Sequence, residues 1–211
     1  MTDPDWLTDN LIDDLIDGPD ADSLETEHMP HGRSLRIAAR RRYERIHRRQ
    51  SLLEIIPEPP APGEAIHVIG TGRHDFWTFV PQMLDWLGRT DRLYCSTWTT
   101  SRANVTELIE LWDTGRIGDL AMLTGIYFKR RETAVYATLL EAIRQRGGRY
   151  RAFKNHAKVL LMANPERDIW LSVEGSANLT ANPRLEQYVF ANIPDLYRFH
   201  RDWMEECLTA R

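Results

Sequence analysis

Cysteine is nearly absent from this 211-residue sequence. Cys95 and Cys207 are the two it has, too few for a disulfide framework or a thiolate zinc site. Long apolar runs are missing too, since none approaches the roughly 20 residues that span a bilayer. The first ten residues, MTDPDWLTDN, lack the basic start and apolar stretch of a secretory signal. Together these absences predict an intracellular, cytoplasmic protein with no membrane partner. No Asp/Glu group shows metal-ligand spacing, so no metal or cofactor is called for. Lysine is scarce as well, three residues against 24 arginines. Arginine's planar fork grips phosphate in a bidentate manner, so the bias favours a phosphate-bearing ligand, although GC-rich coding produces the same bias.

What is present is an ordinary globular composition, 42% hydrophobic and 27% charged, and the length suits one domain plus an appendage. The net charge of -4 conceals a sharp division. Residues 1–28 hold ten acidic and no basic side chains, whereas residues 29–50 hold eight arginines against Glu44 alone. Such asymmetry marks an interaction segment or a pair of solvated helices. Trp6, Leu7, Leu11, Ile12, Leu15 and Ile16 recur at helical spacing, and Leu35, Ala38, Ala39, Tyr43, Ile46 and Leu53 make a second stripe. The segment 57–63 contains PEPPAP, which cannot continue a helix. The expected organisation is an acidic amphipathic arm (1–28), an arginine-rich helix (29–56), a proline-rich linker (57–63) and a body (64–211).

Within the body, short apolar runs alternate with longer helical patterns: AIHVIG, FWTFVPQMLDWLG, RLYCSTW, NVTELIELWDTG, DLAMLTGIYF and TAVYATLLEAIRQRGG. This βαβαβα order predicts an α/β sheet with parallel early strands and ligands beyond their carboxyl ends. Two strands follow, YRAFKNHAKVLLMA and IWLSVEGSANL, joined by the turn-rich 164–168 and antiparallel to each other. PDLYRFHRDWMEECL closes the chain as a helix.

On the first of those late strands His156 and Lys158 stand two residues apart, on one face. Burying both costs several kcal/mol unless they are partnered. On the next strand Glu174, Ser176 and Asn178 share a face, and Gly175 permits close backbone approach. His156-x-Lys158 followed by Gly175-Ser176-x-Asn178 resembles the HKD signature of the phospholipase D superfamily, and GSANLTANPRLEQ is similar to its single-motif, phage or bacterial branch. The resemblance covers residues 64–211. It implies an α/β fold with a phospholipase D-like mixed sheet flanked by helices, here preceded by a helical N-terminal arm. One position departs: the motif's Asp falls five residues after the Lys, where this chain has Ala163, and Asp168 is the acid that could stand in.

The resemblance implies a metal-independent phosphodiesterase. His156 would attack phosphorus, and Glu186, in the place of the family's downstream acid, would orient the imidazole. Lys158 and Asn178 would hold the non-bridging oxygens, with Ser176 positioning them. A mechanism needing two histidines from a single-motif chain implies a homodimer. Glu174, Gly175, His74 and Trp98 are candidates for lining the substrate site, Trp98 as a stacking surface for a base. His28, His31, His47, His67 and His200 read as surface or packing residues. Arg36, Arg40, Arg41, Arg45, Arg48 and Arg49 are the expected nucleic-acid contacts of the arm, and its acidic part suits a protein partner. Nucleic-acid hydrolysis, endonucleolytic in the branch it resembles, is therefore the expected activity. A phospholipase or phosphatidyl transferase, and a catalytically degenerate DNA-binding or assembly module, remain the alternatives.

Overall fold

A computed structural model describes Arg45 and residues 47–180 and 184–210, which fall within one unit of the chain. The acidic arm and Arg36, Arg40 and Arg41 lie outside the described residues.

The described residues form a seven-stranded mixed sheet in the order β1-β7-β6-β5-β2-β3-β4. Its strands are β1 (Ala65–Gly70), β2 (Thr90–Thr97), β3 (Ile117–Gly125), β4 (Arg149–Phe153), β5 (Val159–Asn164), β6 (Ile169–Gly175) and β7 (Glu186–Asn192). The helices are α1 (47–55), α2 (Phe79–Leu87), α3 (Arg102–Asp113), α4 (Ile126–Arg131), α5 (Thr133–Arg146) and α6 (Pro194–Thr209). β2, β3 and β4 pair in parallel. β5 enters antiparallel to β2, and β6, β7 and β1 continue antiparallel from it. The carboxyl ends of β1, β2, β3, β4 and β6 therefore meet the amino ends of β5 and β7 at one edge of the sheet. Every residue of the HKD-like signature stands at that edge.

Alternation along the strands divides the core into two layers. Leu93, Cys95, Leu160, Met162, Leu171, Val173, Tyr188 and Phe190 face one side, where α2, α3 and α5 cover them. Tyr94, Leu161, Ala163 and Val159 face the other, against Tyr197 and Met204 of α6. Helix ends obey local chemistry: Ser101 Oγ accepts from Asn104 N at 3.2 Å to cap α3, and Gly147 ends α5 in the left-handed conformation that lacks a Cβ penalty.

Three features differ from the sequence reading. YRAFKNHAKVLLMA is two strands: β4 ends at Phe153 beside β3, the chain turns through 154–158, and β5 restarts beside β2. His156 and Lys158 thus sit on the loop ahead of β5. Glu186–Asn192, unassigned from sequence, is the strand β7 that carries β1. The segment 57–63 does not separate an arm from the body, because Leu52 and Ile56 are buried in the main core and Asn192 Nδ2 donates to the Pro60 carbonyl at 3.0 Å.

Packing of α1 also redirects its arginines. Arg48 Nη1 lies 2.6 Å from Asp75 Oδ2, Arg45 pairs with Glu107 and Arg49 with Asp85. These three, expected to hold phosphate, are committed to carboxylates because burial of Leu52 and Ile56 sets their helix over those acids.

Candidate active site

The loop 154–158 is held from below. Buried Asn155 donates from Nδ2 to Ser96 Oγ at 3.0 Å and accepts from Ala157 N at 3.0 Å, while Ser96 Oγ donates to the Ala157 carbonyl at 3.0 Å. Gly175 N–H donates to the Lys158 carbonyl at 3.2 Å, which ties the loop to the end of β6. Neither Asn155 nor Ser96 belongs to the signature. Their signal in the sequence is a polar pair bracketing buried strands, recognisable once β2 and β5 are known to be neighbours.

On this platform Lys158, 6% exposed, brings Nζ to 2.7 Å from His156 Nδ1 and 3.3 Å from Nε2, and donates to the His156 carbonyl at 2.8 Å. Burial, and then the Lys158 charge, hold the His156 imidazole below its ordinary 6.5. Burial also lowers the Lys158 ammonium from 10.5, and Glu186 opposes that fall. The arrangement favours a neutral imidazole beside a cation, the state a nitrogen nucleophile needs.

Ser176 lies past the end of β6. Its hydroxyl donates to Glu186 and accepts from Gln187 N at 3.1 Å. Gly175 is required here, because a Cβ would stand 2.6 Å from Tyr188 Cδ1 and 2.7 Å from the Gln187 carbonyl. Asn178 Oδ1 accepts from Trp98 N at 3.3 Å, fixing the amide so that Nδ2 is the end left for a ligand. The ring of His156 contacts Lys158 and Trp98 rather than Glu186. The imidazole thus does not meet Glu186 as expected, because the His156 loop turns toward β2, where Asn155 is bonded to Ser96.

An open cleft of about 530 Å³ is lined by His156, Lys158, Glu174, Gly175 and Ser176, and also by His200 and Trp203 of α6. His200, expected as a surface or packing residue, is packed against Phe199 and Trp203 and also borders the cleft. Its side chain is 8% exposed, and Nε2 stands 3.7 Å from Glu174 Oε2. Trp203 Nε1–H donates to His200 Nδ1 at 3.1 Å, so the ring's proton is on Nε2 when it is neutral. Burial lowers the His200 imidazole from 6.5, with Glu174 opposing.

His74 is not in the cleft. It is buried on the core side among Phe79 and Tyr188, with its ring atom Nε2 against Gly70. The reason lies in Asp75, which caps the short 3-10 turn Phe76–Thr78 and folds the segment onto α2. Trp98 does flank the cleft, half-buried, its ring 5.8 Å from that of His156 and stacked at 4.3 Å on Tyr127. Ala163 is paired with Trp170, five residues along β5 from Lys158 and so about 16 Å away at about 3.3 Å per residue. Asp168 occupies the hairpin at that opposite edge, where its carboxylate accepts from Trp170 Nε1 at 2.8 Å. Neither position bears on the cleft. Among the described residues no group of three His, Cys, Asp or Glu is placed to hold a metal.

The sheet order, the helices on its two faces and the site at one edge define a phospholipase D-like fold. Solved structures agree. The chain is similar to Nuc, a phospholipase D family member from Salmonella typhimurium, at 15% identity and a TM-score of 0.51 over 68% of this chain and 93% of that one. It is similar also to polyphosphate kinase from Porphyromonas gingivalis, at 13% identity and a TM-score of 0.50, over 71% of this chain and 27% of that one. No protein-family model and no curated protein matches the chain. The likeness to these structures is one of fold.

Proposed function

We propose that this chain is a metal-independent phosphodiesterase that hydrolyses nucleic acid through a phosphohistidine on His156. The observation that carries the reading is the meeting of His156, Lys158 and Ser176 at one cleft on a phospholipase D-like sheet, with Glu186 held to that cleft through the Ser176 hydroxyl. A ring nitrogen of neutral His156 attacks phosphorus, the bond to the leaving oxygen breaks, and that oxygen takes a proton from a second histidine. Lys158 swings from His156 to a non-bridging oxygen, and the imidazole proton passes through solvent from Nε2 to Nδ1, where it is donated to Glu186 and leaves Nε2 as the attacking nitrogen. Asn178 Nδ2 meets the other oxygen. Water then attacks the phosphohistidine and gives its proton to the second histidine, which releases the phosphate ester and restores both imidazoles.

The second histidine comes from a second copy, making the active form a homodimer. His200 does not suit that role, since Trp203 donates to its Nδ1 and burial disfavours its imidazolium. Exposed apolar side chains beside the cleft support self-association: Leu185 next to Glu186, Phe199 next to His200, and Ile69 opposite Gln187. Sedimentation should find about twice the 24.6 kDa chain mass.

The test is turnover of bis(p-nitrophenyl) phosphate and of a labelled oligonucleotide by wild type and His156→Ala, each with and without EDTA. The reading expects activity that survives EDTA and falls on the order of 10³-fold or more in the variant. Undiminished activity in His156→Ala, or full EDTA inhibition reversed by Mg²⁺, would overturn it.

A further inference from the structure

Exposed cations without a described carboxylate partner cluster at one edge of the sheet. At the amino ends of the parallel strands most are engaged by carboxylates, Arg92 by Asp119 at 2.5 Å, Arg116 by Asp85 at 2.9 Å, Arg146 by Asp113 at 2.7 Å, and Arg149 by Glu205, while exposed Arg144 and Arg167 stand apart from one another. At the carboxyl ends Arg48 is held by Asp75, but five neighbouring cations are not held by any described carboxylate. Arg102 at the head of α3, Lys129, Arg130 and Arg131 on α4, and Lys154 beyond β4 are all exposed. None of the five is in an ion pair with a described residue. Five exposed cations without described carboxylate partners at one edge contribute a positive field there.

Two aromatic rings lie within this field. Trp98 follows β2 and Tyr127 follows β3, and their rings stack at 4.3 Å and 24°, both half-buried, with Trp98 also against His156. The approach is built in, since Gly125 lets the Trp98 ring and carbonyl come where a Cβ would stand at 2.4 and 2.7 Å. The sheet order places the loop of His156 and Lys158 before β5, then Trp98 at the end of β2, Tyr127 at β3 and Lys154 at β4. Three strand spacings of about 4.8 Å make about 14 Å, the length of about four stacked nucleotides at about 3.4 Å each. In a duplex the base faces are occupied by their neighbours. An aromatic platform is reached by bases of an unpaired strand.

We propose that this rim, from His156 across Trp98 and Tyr127 to the cations of α4 and Lys154, is a track for single-stranded nucleic acid. One base stacks on the aromatic pair, and the phosphates to either side lie on the cations and in the cleft. The track rests on the nucleic-acid reading above and adds to it a strand preference and a binding surface that the signature does not contain.

The test is fluorescence anisotropy with the full chain in a His156→Ala background, where cleavage does not interfere. Three probes are compared: a short labelled single strand, the same strand with abasic sites at its centre, and its duplex. The single strand should bind more tightly than the duplex, and abasic sites should weaken it by about 5- to 150-fold. Tyr127→Ala should lose a similar factor on the normal strand and almost nothing further on the abasic one, whereas Tyr127→Phe, which keeps the ring, should bind as its parent does. Replacing Lys129, Arg130 and Arg131 by Gln should flatten the salt slope by about 0.7 for each phosphate no longer neutralised. Equal binding of duplex and single strand, or of abasic and normal strand, would overturn the track. Hydrolysis of bis(p-nitrophenyl) phosphate by the unaltered chain is read separately. Hydrolysis without strand preference removes the track alone, and strand preference without hydrolysis removes the catalytic reading alone.

Discussion

Replacing Gly125 by Ala adds one carbon at the place where the sheet meets the site. The backbone there is ordinary, with φ -66° and ψ 149°, so alanine suffers no conformational penalty and gains about 0.4–1 kcal/mol through the unfolded chain. Sterics decide the sign. The new Cβ would stand 2.4 Å from Trp98 Cδ1, 2.7 Å from the Trp98 carbonyl and 3.1 Å from the Asn155 carbonyl. Two of these three atoms are backbone. Reaching an ordinary separation of about 3.4 Å requires the Trp98 ring to move by about 1 Å and its carbonyl by about 0.7 Å. The carbonyl is also the acceptor of Gly125 N at 3.0 Å, so the move strains a strand-end hydrogen bond. Overpacking of this kind costs about 1–3 kcal/mol, leaving a net loss of up to about 2.5 kcal/mol. At about 2–4 °C per kcal/mol for a chain of this size, calorimetry should find Tm lowered by up to about 10 °C. The displacement passes to Asn178 through Trp98 N and to His156 through Asn155. Misplacement by about 1 Å can cost about 10²-fold in rate, so turnover should fall by at least about tenfold at temperatures where the variant is folded. A variant with unchanged Tm and unchanged turnover would refute the claim that close packing at Gly125 positions the site.

Three further outcomes follow from the electrostatics. In NMR titration His156 should deprotonate with a midpoint below 6.5, and Lys158→Ala should raise that midpoint, because removing a neighbouring positive charge favours the imidazolium. Trp203→Phe should raise the midpoint of His200, since the indole N–H can donate to Nδ1 only while that nitrogen is unprotonated. Glu205 holds Arg149 and the Tyr94 hydroxyl, which keep its carboxyl down at about 2. Its stabilisation is full above pH 4.5 and is lost as pH falls toward 2. The ceiling of about 3.4 kcal/mol reduces to about 1–2 kcal/mol once solvent screening is allowed for. Glu205→Gln should therefore lower stability near neutrality by about that amount and show a flatter dependence between pH 4.5 and 2 in denaturant titrations.

The parts of the fold that local chemistry dictates were legible in the sequence. Strand alternation in AIHVIG and RLYCSTW, helical stripes between them, and the turn at 164–168 translate directly into β1, β2, α2, α3 and the β5–β6 hairpin. The residues of the signature come together at one edge of the sheet, because identity and spacing survive even when the secondary structure around them is misjudged. The break between β4 and β5 was not legible, because no Gly or Pro interrupts YRAFKNHAKVLLMA. What ends β4 is its parallel seat beside β3, and what restarts β5 is its place beside β2. His200 escaped for a similar reason: its stripe on α6 looks like packing, and only the crossing of α6 over the sheet puts it at Glu174. Arg45, Arg48 and Arg49 read as free cations because Glu107, Asp75 and Asp85 are 27 to 62 residues away along the chain.

The central claim is that His156 becomes covalently phosphorylated. The most direct measurement is a rapid acid-free quench of the chain with a substrate labelled at phosphorus, followed by peptide mapping of the label and by its lability. The account predicts an adduct on the peptide carrying His156, lost in acid and stable in base, absent from His156→Ala and formed equally in EDTA. Turnover of the same substrate with no label on His156 at any quench time would contradict it.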